Sequence, residues 1–206
     1  MNMIEIEDLI LSGETDDLIF IEDLSSDFII ARVINALANC SGGKVVIGIK
    51  KNKTIKGVNP FEFETYLNEV QSSYFNSVLK LCFETFQVKL KYVIILNVTS
   101  AGSRPLILNN NGSPETYIIK KGNVFRIHSK WVKALNQKLP SNKLNPSSIE
   151  EKILNIISDT TCCTINQLHK ISSIHINQLE ENLINLIEYG YVDLVYTNKS
   201  LCFVLS

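Results

Sequence analysis

Apolar positions three and four residues apart set the first frame. Along residues 25–43, SSDFIIARVINALANCSGG, they fall at Ile30, Val33, Ile34, Leu37 and Ala38 and give a helix one apolar face. Ser26 or Asp27 can cap its start, and Gly42-Gly43 stops it. The pattern then changes period. KVVIGI (Lys44–Ile49) is β-branched throughout and predicts a strand, and the polar KKNKT turns the chain before IKGV. Pro60 suits the first position of a helix over FEFETYLNEVQSSYFNSV. LKLCFETFQV and KYVIILNVTS predict two strands, the second apolar enough to be central. AGSRP and NNNGSPE read as loops. ETYIIKKGNVFRIH predicts a strand, a turn at Gly122-Asn123 and a second strand, and SKWVKALNQKL a short helix.

PSNKLNPSS (Pro140–Ser148) carries two prolines among polar residues and reads as a linker. Beyond it IEEKILNIISD, TINQLHKIS and HINQLEENLINLIEYGYV predict three helices, and VDLVYTNKSLCFVLS a hairpin turning at Asn198-Lys199. Three helices followed by a hairpin in about 60 residues resemble the layout of a winged helix-turn-helix. Ile149, Ile153, Ile156, Ile157, Leu168, Ile171, Leu179, Leu183, Leu186 and Ile187 would share its core. The expected division is a larger domain over residues 1–140 and a small winged-helix domain over 147–206.

Charge changes the picture more than composition does. The net charge of −1 hides a segregation: residues 1–27 carry nine acidic side chains and no basic one, and residues 28–146 carry 17 basic and 5 acidic ones. Residues 147–206 carry 3 basic and 7 acidic ones. Such asymmetry bears on partners, and the middle block is expected to attract polyanions. No run approaches the eighteen apolar residues of a membrane span, and the acidic MNMIEIEDLILSGE is unlike a signal peptide, so a cytoplasmic protein is expected. The five cysteines form no CxxC or His-linked metal spacing and read as buried free thiols. His128, His169 and His175 likewise lack metal spacing, SGGK lacks that of a Walker motif, and no cofactor is expected.

Residues 13–23, GETDDLIFIED, hold carboxylates at both ends and four apolar residues between them. A strand that feeds carboxylates into a site would alternate them with apolar residues. GETDDLIF, ANCSGGKVVIGI, the Lys/Asn turn with IKGV, NVTSAGSRP and YIIKKGNVFRI follow one another in the order of the landmarks of the Schlafen–AlbA domain. In that family a Gly-Glu-Ser opens a Glu-Phe-Lys strand. Ala-Asn-x-x-Gly-Gly and an Ile-Gly-Val strand with an Asp pair come next, then x-x-Ser-x-x-x-Pro and Tyr-x-Arg-x-Gly-Ser. The resemblance covers about residues 8–136. It implies an α+β protein, a Schlafen–AlbA-like mixed domain ahead of the small winged helix, and two activities. Members are described as nucleic-acid binders, many of them transcription regulators. Eukaryotic members resemble endoribonucleases built on three carboxylates.

The first of those carboxylates matches Glu14; the second falls on Ile19 and the third on Lys50 or Lys51. Metal-assisted cleavage needs a carboxylate cluster, and an ammonium repels the divalent cation. Asp17 and Asp23 share the face of Ile19 by parity but lie roughly 7 and 13 Å along a strand. The expectation is a degenerate nuclease site and no enzyme. Substitution of the alternative acids Asp16, Asp17, Glu22 or Asp23 into an RNA endonuclease is the rival. Ile19 and Ile21 in place of Glu and Lys predict a buried face, under the N-terminal helix or against another subunit.

Basic residues on turns are the candidate nucleic-acid contacts: Lys50, Lys51, Lys53 and Lys56 around one, Lys120, Lys121 and Arg126 around another, and Arg104 before Pro105. Tyr117 and Phe125 are the only rings nearby for base stacking. In the predicted third helix of the winged-helix domain, His175, Asn177 and Gln178 could reach bases, but Glu180 and Glu181 would face phosphates. That domain therefore reads as a protein-contact module, a homodimer pairing through Tyr189, Tyr191 and Leu194. The expected partner of the whole is DNA or RNA at low sequence specificity, with no membrane. An interaction module without nucleic acid is the third reading.

Overall fold

The computed structural model describes residues 3–136, 145–197 and 200–206. The chain forms two units, Met1–Ser129 and Lys130–Ser206. In the first, β1 (Leu18–Ile21), β2 (Gly43–Ile47), β3 (Leu81–Val88) and β4 (Lys91–Val98) form a sheet of order β1-β2-β4-β3. β1 runs parallel to β2, and the other pairs are antiparallel. A parallel pair needs a crossover, here the helix α2 (Asp27–Asn39). The apolar face predicted for α2 is buried at all five positions, and Ser26 stands at its N-cap.

Strand alternation divides the sheet's side chains between two cores. Ile19, Ile21, Val45, Ile47, Ile94 and Leu96 join α2 and α3 (Phe63–Tyr74) on one face. Leu18, Phe20, Val46, Val93 and Ile95 join Ile6 and Ile10 of α1 (Met3–Ser12) on the other. The expected burial of Ile19 and Ile21 is observed, but their cover is not the N-terminal helix. Parity turns Leu18 and Phe20 toward α1, and Ile19 and Ile21 toward the core built on α2. β4 is central, as its apolar run predicts.

Two hairpins complete the unit, β5 (Leu108–Asn110) with β6 (Ser113–Glu115) and β7 (Tyr117–Lys120) with β8 (Asn123–Arg126). The first stands where a loop is predicted. The second turns at Lys121-Gly122, one residue earlier than predicted. Both turns have positive φ at their two central residues (Asn111 50°, Gly112 84°; Lys121 48°, Gly122 69°), the geometry whose twist suits a two-residue hairpin and that places glycine second. α3 is also shorter than predicted. Pro60 accepts a bond from Phe63 in a turn ahead of the helix, and Phe75 leaves the helix to bridge Leu108.

The second unit holds α4 (Ser129–Asn136), α5 (Ser148–Thr160), α6 (Ile165–Ser172), α7 (Ile176–Glu188), β9 (Val192–Thr197) and β10 (Ser200–Leu205). Capping boxes open α5 (Ser147 with Glu150) and α6 (Thr164 with Gln167), satisfying backbone N–H groups that a helix start leaves free. Ile153, Ile157, Leu168, Leu179, Leu183, Leu186 and Ile187 are buried, with Val192, Leu194 and Phe203 from the hairpin. Trp131 of α4 packs edge-on to Phe203 at 5.4 Å. Ile171 departs from expectation at 54% exposed, because Ser172, four residues after Leu168, takes the inward position on α6. Asn198-Lys199 and most of the predicted linker lie outside the described residues.

Candidate functional site

The carboxylates of the GETDDLIFIED stretch divide between the two ends of β1. At the start, Glu14 Oε1 accepts the backbone N–H of Phe20 (3.0 Å). Asp16 accepts the backbone N–H of Lys121, and Asp17 accepts the Thr15 hydroxyl (2.5 Å). At the far end Glu22 and Asp23 hold Lys56 (3.0 and 2.6 Å). Between them Ile19 is 4% exposed. Among the described residues no group of three or more His, Cys, Asp or Glu is placed to hold a metal ion.

Of the four lysines on the first turn, three have partners. Lys56 is paired as above; its ammonium first, and the Ser25 hydrogen bonds next, hold the Asp23 carboxyl at about 2. Lys50 Nζ lies 3.8 Å from Glu22. Lys53, in the left-handed region at φ 67°, donates to the Leu11 carbonyl (2.6 Å) beside Gly13. Lys51 is exposed and, among the described residues, makes no ion pair. Folding thus sets the acidic opening of the chain against the basic block. The first unit as a whole holds 13 basic and 14 acidic residues. The broad cationic surface expected from residues 28–146 is therefore reduced to local patches.

The second turn is built the other way round. Its backbone is the anchored part: the Lys121 N–H donates to Asp16, and Gly122 lies so close to Glu14 that an added Cβ would meet the Glu14 Cβ at 2.9 Å. The Lys120 and Lys121 ammoniums make no ion pair among the described residues, and Lys121 is exposed. Arg104 is a staple, donating from Nε to the Ala101 carbonyl (3.3 Å) and from Nη1 to the Cys40 carbonyl (3.1 Å). Burial pushes the Cys40 thiol up from its ordinary value. Arg126 reaches the buried Glu115 through Nη1 at 3.2 Å and keeps 61% of its side chain exposed.

Sequence reasoning passed over the residues that hold this hairpin. Asn35 and Asn39, both buried on α2, bond the backbones of Leu106 and Tyr117. Two asparagines four apart on an otherwise apolar helical face were the available signal. The Tyr117 hydroxyl donates to Glu115 (2.5 Å), and burial first, then that carboxylate, pushes it up to about 12. Arg32 lies over both Phe28 and Tyr117 (5.9 and 5.8 Å) with Tyr74 beside Phe28. An aromatic–guanidinium cluster is therefore linked through Tyr117 to Glu115, the partner of Arg126, where the sequence offered only Tyr117 and Phe125.

The family model described as Schlafen, AlbA_2 matches residues 14–127, from Glu14 to the end of the β7–β8 hairpin. The chain belongs to the Schlafen AlbA_2 family. No curated protein matches it. Among solved structures, the DIP2311 protein from Corynebacterium diphtheriae is similar over 98% of this chain, with a TM-score of 0.50 at 12% identity. This chain spans 38% of the length of that protein, and the likeness is one of fold. The N-terminal domain of a protein from Nitrosomonas europaea, described as related to the ATP-dependent DNA helicase RecG, shares 18% identity over 58% of this chain and 88% of that domain, with a TM-score of 0.43. Within the AlbA_2 domain the family's Ala38-Asn39 has a structural task, since Asn39 pins the hairpin to α2.

In the second unit α7 exposes His175, Asn177, Gln178 and Glu181 at its start, and His175 caps it by accepting the Asn177 N–H (3.4 Å). Tyr189 and Tyr191 are half-buried and, with Asn182 and Asn185, line a cavity of about 290 Å³. Leu194 is 4% exposed, so the apolar surface proposed from the sequence loses that member to the core. Among the described residues no helix is long and apolar enough to cross a membrane.

Proposed function

We propose that the chain binds nucleic acid at low sequence specificity, through the β7–β8 turn (Lys120, Lys121), with Lys51 as a flanking phosphate contact. One observation carries the reading. The Lys121 turn is fixed through its backbone by Asp16 and lies close against Glu14, while the Lys120 and Lys121 ammoniums make no ion pair among the described residues. A phosphate contact needs a positioned cation whose charge is not already spent. Lys50, Lys53 and Lys56 serve within the fold, and Arg104 staples a loop. Contacts this few bind weakly, with a salt slope of about one unit for each phosphate neutralised.

The reading contains no nuclease step. Ile19 is packed in the sheet core, and the acids of residues 13–23 are held at opposite ends of β1. For the second unit the proposed form is a winged helix, supported by α5, α6 and α7 followed by the β9–β10 hairpin and by the Cys163–Phe203 bridge between them. Its proposed role is contact between chains, since Glu180 and Glu181 follow the start of α7. Light scattering of the full chain against a chain ending at Pro140 tests this. A dimer that becomes a monomer supports it; equal states refute it.

The binding reading is tested by titrating the full chain against duplex DNA, single-stranded DNA and tRNA at two salt concentrations, with and without Mn²⁺. Affinity for unrelated sequences that falls with salt, with no cleavage, is expected. Absence of binding at low salt to every one of them, or Mn²⁺-dependent cleavage lost in Glu14→Ala, overturns it.

A further inference from the structure

We propose that Cys162 and Cys202 are an oxidisable pair in the second unit, closing to an intramolecular disulfide when the chain meets a peroxide. The backbone brings them together. Thr161, in the left-handed region at φ 60°, turns the chain out of α5, and Cys163 then pairs with Phe203 of β10 through two backbone hydrogen bonds (3.1 and 2.7 Å). Cys162 and Cys202 each directly precede one member of that bridge. Both line one cavity of about 440 Å³, with Thr164, Gln167, Thr197 and Ser200. A diagonal pair across an antiparallel bridge stands about 7–8 Å apart, just beyond the usual span of a disulfide, so closure requires the backbone to draw in. Cys162 lies in the turn after α5 and outside any strand, so the chain can draw in there.

The other cysteines are placed differently. Cys163 is 1% exposed and its sulfur is bonded to the Thr160 hydroxyl at 2.7 Å. Cys40 and Cys82 belong to the first unit. The two partners also divide the work. Cys162 is half-buried and reachable from the cavity, whereas Cys202 is 4% exposed. Burial first, and the Cys162 thiol next, push Cys202 up to about 12. Cys162 is thus the attacking sulfur and Cys202 the resolving one. The Cys162 thiolate attacks one peroxide oxygen, the O–O bond breaks, and hydroxide leaves, giving a sulfenic acid. The Cys202 sulfur then attacks the Cys162 sulfur, the S–O bond breaks, and the departing hydroxide takes the Cys202 proton. Two thiols and one hydrogen peroxide become one disulfide and two waters. The ring so closed spans residues 162–202 and ties β10 to the turn between α5 and α6.

The full chain, reduced and then treated with hydrogen peroxide, is quenched by alkylation and read by intact mass and non-reducing peptide mapping. Free thiols should fall from five to three, with a mass loss of about 2 Da that dithiothreitol reverses. The mapped link should join the Cys162 and Cys202 peptides. Cys162→Ser and Cys202→Ser should each abolish it, and Cys163→Ser and Cys82→Ser should leave it. If Cys202→Ser does not fold by circular dichroism, Cys162→Ser, at a half-buried turn, decides alone. A disulfide that persists in Cys162→Ser, a link mapping to Cys163 or Cys82, or Cys162 oxidised alone with five thiols falling to four overturns the proposal.

Discussion

Two lysine-bearing turns flank the loop at residues 13–17, and they spend their charges in opposite ways. The Lys50–Lys56 turn is held by its side chains: ammoniums go to Glu22, Asp23 and the Leu11 carbonyl. The β7–β8 turn is held by its backbone, through Asp16 and the close approach of Gly122 to Glu14, and its ammoniums make no ion pair among the described residues. A cluster of lysines in a sequence is therefore not a measure of an interface. What counts is which atoms of the turn the fold has already used.

Both turns hang on residues that flank β1, so the most damaging change lies between them. Ile19→Glu would put a carboxylate into a core position that is 4% exposed. Burying that group without a partner is expected to cost about 4 kcal/mol, read as a lower midpoint in urea unfolding. Adding Lys51→Asp should create no Mn²⁺-dependent cleavage; a stable, cleaving double variant would mean that the carboxylate face is accessible. Next in size is the pair of glycines that touch the turns. Gly122→Ala meets the Glu14 Cβ at 2.9 Å and must hold φ 69°, and an expected cost of about 2 kcal/mol follows from the strain. Gly13→Ala must likewise hold φ 81° but meets only the flexible end of Lys53 at 3.4 Å and should cost less, about 1 kcal/mol. Equal losses would erase the distinction between a backbone-held and a side-chain-held turn.

The smallest effect is a matter of pH. Lys56 and Ser25 depress the Asp23 carboxyl from 3.8 to about 2. A depressed carboxyl contributes stability that is fully present above its unfolded value and is lost as pH falls through the folded one. Lys56→Gln should therefore be slightly less stable than the natural chain at neutral pH, and the difference should shrink as pH falls from about 4 to about 2. A difference that grows in that window would contradict the assigned pairing.

Much of this was legible in the sequence. Helices with a clear apolar stripe, such as α2 and α7, and the apolar strand β4 follow from local periodicity, and the ordered motifs gave the family before any fold was visible. Local pattern did not reach the β5–β6 hairpin, whose strands are three residues each. It did not reach the ion pairs either, because Lys56 and Asp23 are separated by 33 residues and meet only through the parallel β1–β2 register. Segregated blocks of charge looked like a cationic face; in the fold Lys50 and Lys56 of the basic block pair with Glu22 and Asp23 of the acidic one. The buried asparagines of α2 were missed because a polar residue on an apolar face has no sequence signature for the backbone it will hold.

Charge free for a ligand sits on the β7–β8 turn and not on the Lys50–Lys56 turn, and on this the proposed function stands or falls. The direct measurement is the affinity and salt dependence of Lys120→Glu/Lys121→Glu beside Lys50→Gln/Lys56→Gln, each titrated with the same single-stranded and duplex DNA and tRNA as the natural chain. The first variant should bind about tenfold more weakly to all of them, with a salt slope shallower by about two, one for each phosphate no longer neutralised. The second should bind like the natural chain. The reverse ranking, or equal weakening in both variants, would contradict the claim.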